Sequence, residues 1–344
     1  MKILSAIDIP WNSALTAYML DQARALRDRG HQVTVAAPPG SFSFAQAERE
    51  GFPVFPVTDR KNVLSPLLVL RLRSWLKLNG CDIFCAHTGR MQTLGALCLP
   101  LRPFRLVRTK ADASRSSAGL SLRPVSAIIA ASGAIARSYA GAPAAKLRVV
   151  PQSIDLPPCQ PPPADGFRVG LLGRLDPVKG HEVFLKAARE VLEEFPGARF
   201  LCAGKDSNLT RGELLDLAER LEIEDSVEFL GQVSDPLAFI NSCHAGVIAS
   251  VGSEAVSRAL LEWMACGRPA VAAAVGGIPE MLPQDWLFPV GDHARLAGLL
   301  LRLAGDAALR AGAGAENRKA AADKFSRGLF AERTEKVFLE ALSA

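Results

Sequence analysis

Aromatic side chains are scarce, 6% of 344 residues with only two tyrosines and four tryptophans. This excludes the rows of stacking rings that hold single-stranded nucleic acid, and no nucleic-acid partner is expected. The seven cysteines (Cys81, Cys85, Cys98, Cys159, Cys202, Cys243 and Cys266) include no Cys-x-x-Cys pair. Their spacing offers neither a zinc site nor a disulfide framework, so reduced thiols are expected. No apolar run reaches the roughly 20 residues that cross a bilayer. The opening MKILSAIDIP is apolar but has no cleavage site, which predicts a first strand rather than a signal peptide and a cytoplasmic protein.

What is present fits a globular chain of two domains, each of roughly 150–170 residues. Hydrophobic residues make up 49% and charged residues 22%, a composition that excludes disorder. The charge is uneven. Residues 1–150 carry 20 Lys/Arg against 8 Asp/Glu, a net of +12, whereas residues 151–344 carry 20 against 27, a net of −7. The first half is therefore either a solvated basic surface or the half that meets an anionic partner.

Short apolar strands alternate with helical stretches. The first half offers strands at 2–7, 32–37, 52–57, 82–87, 105–109, 127–132 and 147–151. Between the first two, Leu15, Tyr18, Met19, Gln22, Ala23 and Leu26 form a helical stripe that Gly30 stops. Strand, helix and strand in that order predict parallel sheets covered by helices. Five prolines between 157 and 163 break the pattern, and 155–166 is expected to be a stiff linker. The alternation restarts with strands at 167–173, 198–204, 226–231, 244–250, 268–274 and 286–290, helices at 179–195 and 211–222, and a helical last 40 residues. The expected class is α/β, with a doubly wound domain at 1–154, a second at 167–325 and a helix at 326–344. Such domains bind ligands at the carboxyl ends of their strands, facing the cleft between them.

Three motifs fall just after strands. Gly173-Arg174-Leu175-Asp176-Pro177-Val178-Lys179-Gly180 brackets a turn with two cations, either a plain charged turn or a diphosphate site. In SEAVSRALLEWMACG (253–267), Ser257 is a natural helix N-cap and Gly267 a natural stop. Glu254 then precedes the helix and Glu262 lies within it; they are either solvated or hydrogen-bond acceptors for hydroxyls. An unpaired carboxylate in the apolar LLEWMA would be costly. In Val275-Gly276-Gly277-Ile278-Pro279-Glu280 the paired glycines permit positive φ and close backbone approach to an anion, or form an ordinary turn. The single histidines His31, His181, His244 and His293 read as strand-edge or surface residues.

These motifs, in this order and spacing, resemble glycosyltransferase family 4, whose members are retaining, nucleotide-sugar-dependent enzymes of the GT-B fold. The likeness extends over essentially the whole chain, and LDQARALRDRGHQVTV and DIFCAH carry it in the first half. It implies that Arg174 and Lys179 hold the donor diphosphate, Glu254 the transferred sugar and Glu262 the ribose. Amides around Val256 and Ser257 would assist, the base would lie against Gly231–Ser234 including Val233, and His87 would sit near the reacting sugar. The first domain would bind the acceptor, with Asn12, Ser13, Arg108 and Lys110 on that side, and the last helix would pack back on it. The donor would be UDP- or GDP-linked. With no Asp-x-Asp in the chain, no metal or other cofactor is expected. Asp8 and Asp112 are candidates for a base by location only.

Three departures stand out. Ser13 and Ala14 replace the usual glycine pair after the first strand, Cys85 replaces the first histidine of the family's His-x-His, and Glu-Ala-Val-Ser replaces Glu-Gly-Phe-Gly at 254–257. The basic residues Arg71, Arg73 and Lys77 on a helix at 66–78, and Arg102, Arg105, Arg108, Lys110 and Arg115, predict a face for an anionic glycan or glycolipid, such as a lipopolysaccharide core, or for the edge of an anionic membrane. A non-catalytic nucleotide-sugar-binding subunit and a GT-B epimerase are the alternative readings.

Overall fold

The computed structural model describes residues 1–57, 64–99, 104–112, 122–139, 142–252 and 254–343. Arg102, Arg115 and Ser253 lie outside them. The chain forms two compact units, one of Met1–Ser153 with Arg327–Ala344, the other of Ile154–Ser326.

The first unit contains β1 (Lys2–Ala6), α1 (Ala14–Asp28), β2 (Gln32–Ala37), α2 (Phe42–Arg49), β3 (Val54–Pro56), α3 (Pro66–Asn79), β4 (Ile83–Ala86), α4 (Gly89–Cys98), β5 (Arg105–Lys110), β6 (Val125–Ala130), α5 (Gly133–Ser138) and β7 (Leu147–Val149). Its sheet runs β3-β2-β1-β4-β5-β6-β7, every neighbouring pair parallel. The stripe expected on α1 is buried in full. Ser13 caps this helix, its hydroxyl accepting from Thr16 N while the Thr16 hydroxyl accepts from Ser13 N.

The second unit contains β8 (Phe167–Leu172), α6 (His181–Glu194), β9 (Ala198–Ala203), α7 (Arg211–Arg220), β10 (Val227–Gly231), α8 (Pro236–Asn241), β11 (Ala245–Ile248), α9 (Arg258–Ala265), β12 (Ala270–Ala273), β13 (Leu287–Phe288), α10 (His293–Gly305) and α11 (Ala307–Phe325). Its parallel sheet runs β10-β9-β8-β11-β12-β13. Trp263 on α9 is fully buried over two strand glycines; a Cβ on Gly246 would stand 2.2 Å from its ring. The missing side chains let α9 lie close on β8 and β11, which fixes the loop before it.

The last helix, α12 (Arg327–Ser343), belongs to the first unit. Phe330 meets the Tyr18 ring edge-on at 5.2 Å, and Phe338 is fully buried. Burying an aromatic side chain of this kind stabilises by roughly 2–3 kcal/mol. Glu335 pairs with Arg29 and His31, Glu340 with Arg148, and Arg327 with Asp28.

Most strands match their expected spans to within two residues. The shortest is at 286–290, where only Leu287 and Phe288 pair, Trp286 ending a turn and Pro289 lacking an N–H. The proline-rich segment has neither helix nor strand. Its carbonyls are held by side chains of the second unit: Pro157 by Arg318, Gln160 and Pro161 by Arg268, and Pro163 by the His244 ring. Proline supplies acceptors without donors, and two buried-stem arginines and a histidine satisfy them. His244, at the entry to β11, thus serves as a structural clasp. Among the described residues, no helix is long and apolar enough to cross a membrane.

Candidate functional site

In each sheet the chain starts centrally, winds outward through two strands, then crosses to the other side. That switch lies between β1 and β4 in one unit and between β8 and β11 in the other. A crevice opens outside the strand ends at such a point. In the second unit, the loops flanking the switch carry the first two motifs.

After β8, Asp176 begins a single 3-10 turn, Pro177–Lys179, its Oδ1 accepting from Val178 N at 3.0 Å. Gly180 follows in the left-handed region at φ +71°, and a Cβ there would lie 1.9 Å from the Ala249 carbonyl. Only glycine lets this turn press on the end of β11. Val251 N donates to Val178 O at 2.9 Å and ties the two loops together.

The loops meet in an ion pair. Lys179 Nζ lies 2.5 Å from Glu254 Oε1, which also accepts from the Ser250 hydroxyl at 2.7 Å. Glu254 is 4% exposed and Lys179 29%. The pair thus joins the first motif to the second. Arg174, 52% exposed, is held at Nε by Asp176 Oδ2 at 3.2 Å. Burial pushes the Asp176 carboxyl up, but Val178 N–H, Arg174 and Asn208 together outweigh it and hold it below its usual range.

The third motif corrects an expectation. Gly276 does adopt positive φ, +60°, but the backbone it approaches is Glu254's, whose carbonyl a Cβ would reach at 1.8 Å. Gly277 has φ −88° and donates its N–H to that carbonyl at 2.8 Å. The glycine pair buttresses Glu254, and the Gly277 amide is already used.

Ser257 caps α9 and Gly267 ends it at φ +68°, as the spacing predicts. Glu262 is a fifth exposed and is not unpaired, because Arg258 one turn earlier donates to it at 3.1 Å. Burial raises its carboxyl and Arg258 offsets part of that rise. Val256 is partly buried in the loop before the cap. Gly231 ends β10 at φ +66°, its carbonyl accepting from Gly204 N at 2.8 Å, and Val233 packs on the core two residues later.

The first unit places its residues differently. His87, at the end of β4, is fully buried, Nε2 facing the Ser5 hydroxyl at 3.0 Å and Cys85 Sγ at 3.6 Å. Burial drives its pKa down to about 3, so the ring is neutral. Arg108 and Lys110, expected on a basic surface, are instead buried. Arg108 donates to the carbonyls of Ala86 and Thr109, and Lys110 pairs with Asp112 at 2.5 Å. Burial lowers the pKa of both cations. Both faces of β5 are covered, Leu106 to Lys110 all being buried, and only Arg105 at the start of the strand stays exposed. The Ser13 hydroxyl is taken up by the helix cap, while Asn12 is exposed. Buried Asp8 faces Arg90 at 3.6 Å across this unit's switch point.

A sequence profile described as Glycosyl transferases group 1 matches residues 166–306, and one described as Glycosyltransferase Family 4 matches residues 15–157. The chain belongs to glycosyltransferase family 4. Relatives agree with this placement. A phosphatidyl-myo-inositol mannosyltransferase of Mycolicibacterium smegmatis is 27% identical over 334 residues, spanning 89% of this chain and 84% of that protein. A D-inositol 3-phosphate glycosyltransferase of Segniliparus rotundus is 33% identical over 162 residues, 43% of this chain and 36% of that protein. The Anabaena protein HepE, crystallised with UDP, superposes with a TM-score of 0.86 at 22% identity over 98% of this chain and 99% of its own. The fold is GT-B, two Rossmann-like α/β units, and the family 4 assignment makes the chain a glycosyltransferase.

Sequence reasoning missed three residues that tie these loops together: Asp176, Ser250 and Asn208. Asp176 was readable, since Asp-Pro before a short turn is a cap signal. Ser250 and Asn208 carry no such mark, and only the packing of separate loops brings them in. His181 was also misplaced. It is fully buried at the start of α6, where burial lowers its pKa to about 4.

Proposed function

We propose that this family 4 enzyme transfers a hexosyl group from a nucleoside diphosphate sugar to an anionic, phosphorylated glycan or glycolipid, with retention at the anomeric carbon. The observation that carries the reading is the convergence of Arg174, Lys179 and Glu254 at the switch point of one sheet. Two cations there can neutralise a leaving diphosphate, and a buried carboxylate can accept from sugar hydroxyls. Glu262, five residues beyond the Ser257 cap, then takes the ribose, and the loop at 231–233 takes the base. The family's retaining chemistry needs no protein nucleophile. The acceptor hydroxyl attacks on the face the diphosphate leaves, the anomeric C–O bond to phosphate breaks, and the leaving phosphate oxygen takes the acceptor proton. Lys179 neutralises Glu254 in this arrangement. Donor phosphate draws the ammonium away, which frees the carboxylate for the sugar.

UDP and GDP are the bases to test first, since HepE is named with UDP and the Mycolicibacterium smegmatis relative is a mannosyltransferase. The names of both curated relatives refer to inositol phosphates, so a phosphoinositol lipid joins the lipopolysaccharide core as an acceptor form. The first unit holds the acceptor in this reading, with Asn12 on that side. Its helix α3 buries Leu68, Leu72 and Leu76 and exposes Leu67, Leu70 and Leu78 beside Arg71 and Lys77. That mixed face suits the edge of an anionic membrane, on the cytoplasmic side, at roughly 1 kcal/mol per cation. Arg73 contributes less, being half-buried and donating to the Leu97 carbonyl.

The test is a thermal-shift screen of UDP-, GDP-, ADP- and TDP-sugars, followed by incubation of the best labelled donor with each acceptor form. A true donor in large excess adds on the order of 2–4 kcal/mol of apparent stability. Transfer with an axial product bond from an axial donor supports the reading. Binding without transfer or hydrolysis marks a binding subunit, and an epimerised donor marks an epimerase.

A further inference from the structure

The loop after β9 is built against the Arg174 loop. A Cβ on Gly204 would lie 1.9 Å from the Gly173 carbonyl and 2.9 Å from Arg174 N, so glycine alone allows the approach. Leu175 N donates to Lys205 O at 2.8 Å and Leu209 N to Leu175 O at 3.0 Å, with a parallel bridge between Leu175 and Asp206. From this second loop Asn208 reaches back, its Nδ2 donating to Asp176 Oδ2 at 2.9 Å. The same oxygen holds Arg174 Nε at 3.2 Å, while Oδ1 caps Val178 N.

We propose that Asp176, steadied by Asn208, is a positioning residue that aims Arg174 at the donor diphosphate. The carboxylate takes the Nε edge of the guanidinium and leaves the two Nη groups, which meet no partner among the described residues, as a paired donor edge. That edge matches two oxygens of a phosphate. An arginine 52% exposed on a turn would otherwise sample many rotamers, and binding would have to freeze them. Asp176 does this before the ligand arrives. It also links diphosphate capture to the β9 loop, which touches neither Lys179 nor Glu254 in any recorded hydrogen bond or ion pair. The proposal rests on the reading of Arg174 as a diphosphate ligand.

The experiment measures binding of whichever of UDP, GDP, ADP and TDP stabilises the wild-type protein most, alongside the matching monophosphate, to Asn208→Ala, Asp176→Asn, Arg174→Ala and the double variant Arg174→Ala/Asn208→Ala. Asn208 is exposed, so its truncation leaves the melting temperature within a degree or two, and Asp176→Asn keeps an oxygen for the Val178 cap. Asn208→Ala should weaken the diphosphate about threefold to tenfold and Asp176→Asn about tenfold or more, with the monophosphate changed less than twofold. In the Arg174→Ala background, loss of Asn208 should add nothing. Equal losses for monophosphate and diphosphate, or an Asn208→Ala loss that persists undiminished without Arg174, overturns the positioning role while leaving the donor site standing. Unchanged diphosphate affinity in Arg174→Ala overturns both.

Discussion

The two units wind their sheets the same way but spend their charge differently. By composition the first, including α12, carries 23 Lys/Arg against 11 Asp/Glu, and the second 17 against 24. Yet among the described residues the switch point that gathers two cations belongs to the acidic unit, while that of the basic unit offers Arg90 beside Asp8. Arg174 and Lys179 sit in a loop, beyond the strand end, where a side chain can face solvent. In the basic unit Arg108 and Lys110 lie within β5 and are buried, and Arg24, Arg29 and Arg148 are paired with Glu50, Glu335 and Glu340. Net charge therefore says little about which cations reach a strand-end loop. Whether a cation follows a strand or lies inside it says more.

Breaking the comparison at its strongest point means removing the two loop cations. Arg174→Ala and Lys179→Ala should each cost on the order of 2–4 kcal/mol in kcat/KM, as for a lost preorganised donor. Arg71→Ala should leave activity on a soluble acceptor unchanged. If both loop variants stay within about threefold of wild type, the contrast between the units collapses.

The two glutamates sharpen it within one unit. Glu262→Gln should weaken free nucleoside diphosphate by about 2 kcal/mol, the scale of a hydrogen bond to a charged group. Glu254→Gln should spare the free nucleotide, because its partner Lys179 stays beside the phosphate, and should lower transfer instead. Titration calorimetry with UDP and GDP separates the two, and equal losses of nucleotide affinity end the division of labour.

Acid should act on both units through buried neutral histidines. The folded pKa is about 3 for His87 and about 4 for His181, below the usual 6.5. The unfolded chain binds protons first, so stability is complete above pH 6.5. It falls as pH drops toward each folded value, by up to about 1.4 kcal/mol per pH unit per histidine. Denaturant melts between pH 7 and 4 check this, and His87→Gln should flatten the slope of the first unit alone. A slope unaltered by that change rules out His87 as its source.

The smallest effect concerns α3. Arg71→Glu/Lys77→Glu should reduce co-sedimentation with anionic vesicles by roughly 1 kcal/mol per lost cation. Wild-type binding should fall as salt rises and be absent on neutral vesicles. Equal binding of variant and wild type at low salt leaves the face as solvated surface.

Much of the fold was legible. Short apolar runs located the parallel strands, a period of 3.6 located the α1 stripe, and cap chemistry placed α9 between Ser257 and Gly267. In the site, the three motifs were visible as loops following strands, because glycines and capping residues mark such loops locally. Their mutual geometry was not. The Lys179–Glu254 pair joins residues 75 apart, the Gly276–Glu254 contact joins a third loop, and Asn208 enters from a fourth.

The sequence by itself determined element type, the parallel winding and the residue kinds offered at each strand end, since these follow from local periodicity, caps and turns. Tertiary structure alone decided which of those residues face each other and which are withdrawn. Arg108, Lys110 and His87 are hidden because their neighbours in the sheet cover them, and Glu254 is aimed because Gly276 lets a third loop close on its backbone while Gly180 seats the Lys179 turn against Ala249. Burial and close backbone contact are properties of elements brought together, and no single stretch of chain contains them.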